Sequence, residues 1–329
     1  MPVITYREAV TQALTEALDS DERVFIMGED VGGYGGSYAV TKGMLAKYGP
    51  KRIRETPIAE SVFVGAGAGA AMAGLKPVVE IMTINFSILA MDQIVNHAAK
   101  VRYMSGGQLS SGVIMRTVTG GGAGLAATHS QSLEPWYAHV PGIWVVTPAT
   151  PYDALGLLRE AFTKDDPVLF SEHALIYRLR GEVPEEHYTV PFGQAAISRR
   201  GSDVTLVAYS RMVHVALDAA QMLANQGVEA EVIDLRTLRP LDMETVFQSV
   251  RKTNRVAVVE EAWRTGGFAA EIASQIQEAC FDYLDGPVAR IGGEDVPQPY
   301  AINLERATIP DAKKVVNELA KVIGLKVTA

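Results

Sequence analysis

Short β-branched runs alternate with longer stretches of helical periodicity along the first part of the chain. The apolar runs predict buried strands at 24–30, 76–82, 112–117, 143–148 and 167–172. The intervening stretches predict helices at 5–19, 57–73, 86–103 and 151–162. Strands that alternate with helices are typical of βαβ units, so we expect a mainly parallel sheet with helices on both faces.

The pattern breaks after residue 180, where charges and prolines occur without a long period. Alternation then resumes, with strands predicted at 203–210, 229–235, 255–261 and 288–293. Helices are predicted up to residue 225, from residue 242, at 267–281 and at 311–323. We therefore predict an α/β fold in two parts: a domain over 1–180, a linker over 181–200 and a smaller α/β domain over 201–329.

The composition agrees with two globular domains and excludes several classes of protein. The 329 residues are 48% hydrophobic and 21% charged, with a net charge of −8, which argues against a nucleic-acid surface. The single cysteine, Cys280, excludes a disulfide scaffold and a cysteine metal site, and its apolar context predicts an inert core thiol.

No signal or membrane segment is evident in the sequence. The N-terminus lacks a basic stretch followed by an apolar run, so we expect a cytoplasmic protein without a signal peptide. The longest convincing apolar run, residues 61–75, is dominated by glycine and alanine and is too short to span a bilayer.

That run contains Gly65, Gly67 and Ala70, which match the dinucleotide fingerprint G-x-G-x-x-A. The preceding residues instead suggest the start of a helix, with Thr56 as its cap and Pro57 in its first position. The glycines would then lie inside a helix and allow another element to approach closely. A nucleotide-binding oxidoreductase stays open as the less favoured interpretation.

Two residues are candidates for chemistry. Glu60 lies in the first turn of the predicted helix, where a carboxylate also has a plain stabilising role. His129 follows a strand and a glycine-rich loop, the position at which open α/β sheets place ligands. The phosphate-loop, H-E-x-x-H and G-x-S-x-G motifs are missing, so the residues alone indicate an α/β enzyme subunit without naming its reaction.

Several segments, taken together, carry a family resemblance. They are MGEDVGGYGGSYAVTKGMLAKYG, RIRETPIAE, GAAMAGLKPVVEIMTINF, DQIVNHAAKVRYMSGG, THSQSLEPWYAHVPG, DLRTLRPLD, KTNRVAVVEE, TGGFAAEI and DVPQPYA. In order and spacing the chain resembles the beta subunit of the decarboxylating component of 2-oxoacid dehydrogenase complexes. Within that family it is most similar to the bacterial branch that acts on pyruvate.

The resemblance implies an N-terminal pyrimidine-binding domain for thiamine diphosphate and a C-terminal transketolase-type domain. It also implies an alpha subunit in an α₂β₂ assembly that holds the diphosphate and Mg²⁺, in agreement with the missing G-D-G motif. The implied reaction is oxidative decarboxylation of pyruvate with transfer of the acetyl group to lipoyl on an acyltransferase core.

The resemblance also implies roles for individual residues. Glu60 would hydrogen-bond a ring nitrogen of the aminopyrimidine, Phe86 would stack on it and Ile58 would line its pocket. His129 would face the substrate and the lipoyl group, and Glu29 would join an acidic path between two active sites.

A structural K⁺ ion is also implied, held mainly by main-chain oxygens. The implied ligands are Val113, Ala161, Phe162, Lys164 and Asp166. The acids Glu294 and Asp295 are candidates for docking the acyltransferase.

Two departures from the family bear on the substrate. Leu89 replaces a glutamine found in many pyruvate enzymes, and the loop TVTGGGAG differs from the common GPNG type. A branched-chain 2-oxoacid or acetoin enzyme, or a split transketolase half, therefore stays open.

Overall fold

The computed structural model describes residues 1–323 and divides the chain into two compact units. The first unit comprises Met1–Thr119 and Trp136–Phe192, and the second comprises Gly120–Pro135 and Gly193–Ala329. The division falls inside the segment predicted as a linker, but the second unit also takes in a loop from the N-terminal half of the chain.

The first unit contains a parallel sheet that confirms the predicted βαβ pattern. Its order is β6–β7–β5–β4–β2–β3, and each neighbouring pair in that series is parallel. The strands are β2 (Val24–Gly28), β3 (Ile53–Glu55), β4 (Lys76–Ile81), β5 (Ile114–Thr119), β6 (Trp144–Val146) and β7 (Val168–His173). A small antiparallel pair joins β1 (Val3–Thr5) to β8 (Arg180–Glu182).

Helices cover both faces of this sheet. They are α1 (Tyr6–Ser20), α2 (Met44–Tyr48), α3 (Glu60–Met72), α4 (Val101–Met104), α5 (Glu134–Ala138) and α6 (Pro151–Ala161), with a 3₁₀ turn at Ala174–Ile176. α1 and α6 pack together over the face that carries Ile26 and Val78. α3 covers the other face, because the helix approaches Val79 at Gly67.

Gly67 is the one glycine of α3 that the sheet requires. A Cβ at this position would lie 2.4 Å from Val79 Cγ2, whereas a Cβ at Gly69 would meet nothing within 4 Å. The glycines thus lie inside a helix, as predicted, and close packing occurs at Gly67 within this chain.

The predicted start of this helix was wrong. α3 begins at Glu60 with Ala59 as its N-cap, and Thr56 makes no cap hydrogen bond. The Thr56 backbone N–H instead donates to Gly28 O at 3.0 Å, which extends the strand pairing and delays the helix.

The single helix predicted over 86–103 was also wrong. The segment forms a 3₁₀ helix (Ile84–Ala90), a π-helix (Gln93–Ala98) and the short α4. The periodicity of side chains does not distinguish these hydrogen-bond patterns, which packing decides.

The second unit has a five-stranded sheet with the order β14–β13–β10–β11–β9, in which only β9 is antiparallel. Its strands are β9 (Ala196–Arg199), β10 (Val204–Ala208), β11 (Ala230–Asp234), β13 (Val256–Trp263) and β14 (Ala289–Gly293), and β12 is Thr237–Arg239. Its helices are α7 (Met212–Ala224), α8 (Met243–Thr253), α9 (Phe268–Cys280), α10 (Ile302–Thr308) and α11 (Ala312–Ile323), with a 3₁₀ turn at Phe281–Tyr283. The smaller α/β unit is therefore confirmed, and Cys280 is buried at the end of α9.

Within residues 1–323, no helix has the length and apolar character needed to span a membrane.

Candidate active site

The carboxyl edge of the first sheet gathers acidic side chains. Glu29 directly follows β2, and Glu60 opens α3. Both side chains lie inside the protein, with Glu29 5% and Glu60 3% exposed. Because parallel strands end at one edge, residues far apart in sequence meet there.

Gly28, the last residue of β2, lets two strands approach closely at this edge. A Cβ at Gly28 would lie 2.5 Å from Glu80 O, so β2 and β4 approach each other at a distance that only glycine permits. The next residue, Glu29, is buried directly after the end of β2.

Glu29 is an unsatisfied buried acid in this chain. Neither of its carboxylate oxygens has a hydrogen-bond partner. Burial raises the pKa of Glu29 above its ordinary value, and the charges of Glu60, Asp30 and Glu80 raise it further. We call Glu29 and Glu60 the acidic pair, because the charge of Glu60 acts on Glu29, and the unsatisfied Glu29 suits a proton-donating group beside it.

The other predicted cofactor residues lie on neighbouring elements of the first unit. Ile58, two residues before α3, is 77% exposed. Phe86 is half-buried in the 3₁₀ helix Ile84–Ala90, and that helix packs against α3. Leu89, on the same 3₁₀ helix, is exposed.

Behind the acidic pair lies a buried ionic cluster that the sequence analysis missed. Arg116 on β5 donates to Glu80 on β4 at 2.7 Å and to Glu172 on β7 at 2.6 Å. Tyr177 Oη donates to Glu172 at 2.9 Å. We call Glu80, Arg116, Glu172 and Tyr177 the strand cluster.

The charges in the strand cluster depend on one another. Burial favours the neutral form of Arg116, but Glu172 and Glu80 outweigh it and raise the pKa of the guanidinium. Burial raises the pKa of Glu80, although Arg116 opposes that shift. The sequence signalled the charges, since each of them interrupts an apolar strand, but only the fold shows that Glu80 pairs in register with Arg116.

His129 belongs to the second unit, on the loop that precedes α5. Its ring is half-buried, and its Nδ1 lies 3.0 Å from Thr128 Oγ1. The backbone N–H of His129 donates to Ala126 O at 3.3 Å, which closes a turn before the histidine.

The predicted cation ligands cluster between α6 and β7 and at the start of β5. The Val113 and Ala161 carbonyls accept backbone N–H groups from Val168 and Lys164 at 2.9 and 3.1 Å. Phe162 O accepts from Lys76 Nζ at 3.0 Å.

The two remaining predicted ligands belong to the same turn. Lys164 O lies 2.8 Å from the position that a Cβ on Gly112 would take, and the carboxylate of Asp166 pairs with Arg102 at 2.8 Å. Among the described residues, no group of three or more histidine, cysteine, aspartate or glutamate side chains has a metal-binding arrangement.

Comparison with known proteins shows the family. The profile described as the transketolase pyrimidine binding domain matches residues 3–179, and that of the transketolase C-terminal domain matches residues 193–315.

Two curated relatives match nearly the whole chain. The chain is 50% identical over 317 residues to "Pyruvate dehydrogenase E1 component subunit beta-2, mitochondrial" of Oryza sativa subsp. japonica, covering 95% of this chain and 84% of that protein. It is 48% identical over 319 residues to "Pyruvate dehydrogenase E1 component subunit beta" of Rickettsia felis (strain ATCC VR-1525 / URRWXCal2), covering 97% and 98%.

Among solved structures, a split-gene transketolase described as an inactive beta4 tetramer superposes with a TM-score of 0.80 at 26% identity. That match covers 98% of this chain and 99% of the other.

Proposed function

The chain belongs to the family of pyruvate dehydrogenase E1 beta subunits, and we propose that it serves as the beta subunit of a thiamine-diphosphate-dependent 2-oxoacid decarboxylase. The reaction is decarboxylation of pyruvate with transfer of the acetyl group to a lipoyl acceptor. The observation that carries the proposal is the buried Glu29–Glu60 pair, in which Glu29 has no hydrogen-bond partner for either oxygen.

The acidic pair fits the aminopyrimidine of the cofactor. A buried carboxylate is costly unless a donor satisfies it, and a protonated ring nitrogen is such a donor. When bound, the cofactor supplies a carbon nucleophile and an electron sink for loss of carbon dioxide. Glu60 would hold the proton at the ring nitrogen, and Glu29, whose pKa is raised by burial and by Glu60, would favour a bound proton beside it.

The neighbouring apolar groups complete this half of the site. Phe86 would stack on the ring, and Ile58 would line its pocket. Two observations support these roles: the 3₁₀ helix that carries Phe86 packs against α3, and Ile58 is highly exposed in the isolated chain.

The nucleotide-binding alternative is disfavoured by the position of the glycines. Gly65 lies five residues inside α3, so the match to the fingerprint does not fall on a turn between a strand and a helix.

An alpha subunit is proposed to complete the site in an α₂β₂ assembly and to hold the diphosphate with Mg²⁺. Large apolar side chains next to Glu60 are exposed in this chain, including Ile58 and Val62 at 77% and 67%. Exposed apolar groups beside a buried acid suit a protein partner that closes the site. We further propose a cytoplasmic location, in keeping with the relatives from Rickettsia.

A K⁺ ion between α6 and the start of β5 is a finer proposal. Each carbonyl oxygen there has a second lone pair to offer, which supports coordination. The Lys76 ammonium beside Phe162 O opposes it. We expect the melting temperature to rise with KCl but not with choline chloride at equal ionic strength. Equal melting temperatures in the two salts would contradict the K⁺ site.

Docking of the acyltransferase core is proposed at the C-terminal unit. Asp295 accepts from Thr265 Oγ1 at 2.6 Å beside a cavity of about 370 Å³, which Trp263 and Val296 also line. Glu294 pairs with Lys314 at 2.6 Å. If Glu294→Gln with Asp295→Asn binds the core with unchanged affinity and salt dependence, the docking site lies elsewhere.

The test of the main function is co-expression with an alpha-like partner from the same organism. The purified assembly is assayed with pyruvate, branched 2-oxoacids and acetoin, with and without thiamine diphosphate. We expect cofactor-dependent turnover with preference for pyruvate. Preference for a branched acid or acetoin would change the substrate, and tight NAD binding by the isolated chain would overturn the assignment.

A further inference from the structure

The loop that carries His129 is built from glycines. Four of the five residues from Gly120 to Gly124 are glycine, and Gly120, Gly122 and Gly124 have positive φ angles of 85°, 92° and 70°. Such a segment loses much conformational entropy when it is ordered. Side chains of the loop itself cannot supply the compensation at these positions.

The ends of the loop are tied by its own backbone. Gly120 N–H donates to Gln131 O at 3.1 Å, which closes a loop of residues 120–131 that we call the glycine loop. This bond fixes the base of the loop.

Further support comes from two buried carboxylates of the same unit. Gly121 N–H donates to Glu261 Oε1 at 2.6 Å, and Gly124 N–H donates to Glu305 Oε2 at 2.9 Å. Glu261 is 8% exposed and Glu305 is 0% exposed. Hydrogen bonds from backbone N–H groups to buried ionised carboxylates are short and strong. We call Glu261 and Glu305 the loop carboxylates.

The loop carboxylates are themselves held in place. Glu261 lies on β13, an interior strand of the sheet, and its other oxygen is 3.2 Å from Arg211 Nη1. Glu305 lies on α10 and is fully buried; its Oε2 accepts from Gly124, and its Oε1 is buried without a hydrogen-bond partner. The anchors therefore belong to ordered elements, whereas the loop has no regular structure of its own.

The space around Gly121 is tight. A Cβ at Gly121 would lie 3.0 Å from Ile309 Cδ1 and 3.4 Å from Glu305 Oε1. Glycine thus lets the loop backbone reach both carboxylates, which explains a run of glycines that no phosphate-binding role accounts for.

We propose that Glu261 and Glu305 are positioning residues that hold the glycine loop so that His129 meets the incoming acyl acceptor. They act through backbone N–H groups and do not touch the substrate. This role rests on the proposed function, because it assigns the purpose of the loop to transfer of the acyl group. It predicts that loosening the loop slows transfer to lipoyl more than it slows decarboxylation.

The experiment uses the reconstituted assembly with Glu305→Gln, Glu305→Ala and Glu261→Gln. Glu278→Gln, an exposed acid on α9 of the same unit, is the matched control. Hydrogen–deuterium exchange of peptides covering 120–131 reports on the loop. Steady-state kinetics with a lipoylated domain, and separately with an artificial electron acceptor, report on the two steps.

In the Glu261 and Glu305 variants we expect faster hydrogen–deuterium exchange in residues 120–131. With the lipoylated domain, kcat/KM should fall roughly 10- to 100-fold, the size of effect that misplacing a catalytic group produces. Turnover with the artificial acceptor should fall far less. The increase in exchange and the loss of kcat/KM should both be larger in Glu305→Ala than in Glu305→Gln. The control should match the wild type in all three measurements.

Unchanged exchange in all of the Glu261 and Glu305 variants would show that these carboxylates do not hold the glycine loop. Faster exchange with equal losses in both kinetic assays would overturn the selective role in transfer. If the wild-type assembly turns over no 2-oxoacid, the proposed function fails, and the exchange data alone then decide the anchoring.

Discussion

The two units bury carboxylates in contrasting ways. In the first, the strand cluster neutralises Glu80 and Glu172 with one guanidinium, from side chain to side chain. In the second, Glu260, Glu261 and Glu305 accept backbone N–H groups from Ala269, Gly121 and Gly124. Side-chain pairing compensates charge across strands of one sheet, whereas acceptance from the backbone fixes the path of a loop or a helix end.

The acids of the two units also differ in how fully their oxygens are bonded. Glu29 stands outside the strand cluster, unsatisfied, at the edge where Glu60 opens α3. The acids of the second unit support structure around a loop. We therefore expect substitution of Glu60 in the first unit to lower the rate of decarboxylation most. Substitution of the loop carboxylates in the second unit should instead disturb the position of the glycine loop.

The largest effect should follow Glu60→Gln in the reconstituted assembly. On the proposed role, the substitution removes the carboxylate that would hold the proton at the ring nitrogen, and decarboxylation should fall roughly 10²- to 10⁴-fold. Turnover is measured beside sedimentation velocity, with the exposed Glu22→Gln as control. Near-normal turnover in an intact assembly would contradict the role of Glu60.

Breaking the strand cluster should cost the most stability. Arg116→Met leaves two buried carboxylates without a counter-ion, and we expect a loss of about 3–5 kcal/mol in the free energy of unfolding. Adding Glu80→Gln and Glu172→Gln should recover most of it. Arg102→Met, which breaks a more exposed pair with Asp166, should cost less than about 1 kcal/mol. Equal losses in urea unfolding for the two arginine variants would refute the contrast.

The second unit should show a pH signature instead. Burial raises the pKa of Glu260 from 4.5 to about 7, although Ala269 N–H and Tyr209 Oη oppose the shift. The folded state then binds more protons than the unfolded state between those values, so stability falls as pH rises through this window.

Glu260→Gln should remove that dependence. Between pH 5 and 8 the stability of the variant relative to the wild type should rise by about 3 kcal/mol, from the linkage of proton binding to folding. Denaturant unfolding at several pH values measures it. A difference that stays constant with pH would show that Glu260 does not titrate in this range.

The smallest effects concern the helix that carries Glu60. Gly67→Ala should destabilise by about 1–3 kcal/mol, since the new methyl group meets Val79. Gly69→Ala, in open space, should stabilise the isolated chain by up to about 1 kcal/mol. Thermal unfolding of the two glycine variants, alone and with the alpha partner, shows whether the face around Gly69 is covered on assembly. If Gly69→Ala stabilises the assembly as much as the isolated chain, that face is not covered by the partner.

The sequence by itself determined the two α/β units, the parallel core and the position of the Gly/Ala run inside a helix. These follow from local periodicity, which depends only on neighbouring residues. Position in the sequence pointed to Glu60 and His129, and the family resemblance added Glu29 and Phe86 and implied a role for each, because motif spacing survives in a linear sequence.

Only the tertiary structure decided where α3 begins, how residues 84–104 divide among three helical forms, and which charges meet. Glu80 and Arg116 are 36 residues apart in sequence, and Gly121 and Glu261 are 140 apart. Their pairing depends on strand order and on the path of a loop, which long-range packing selects. The compensation of buried charge is for the same reason a property of the fold, and no local pattern encodes it.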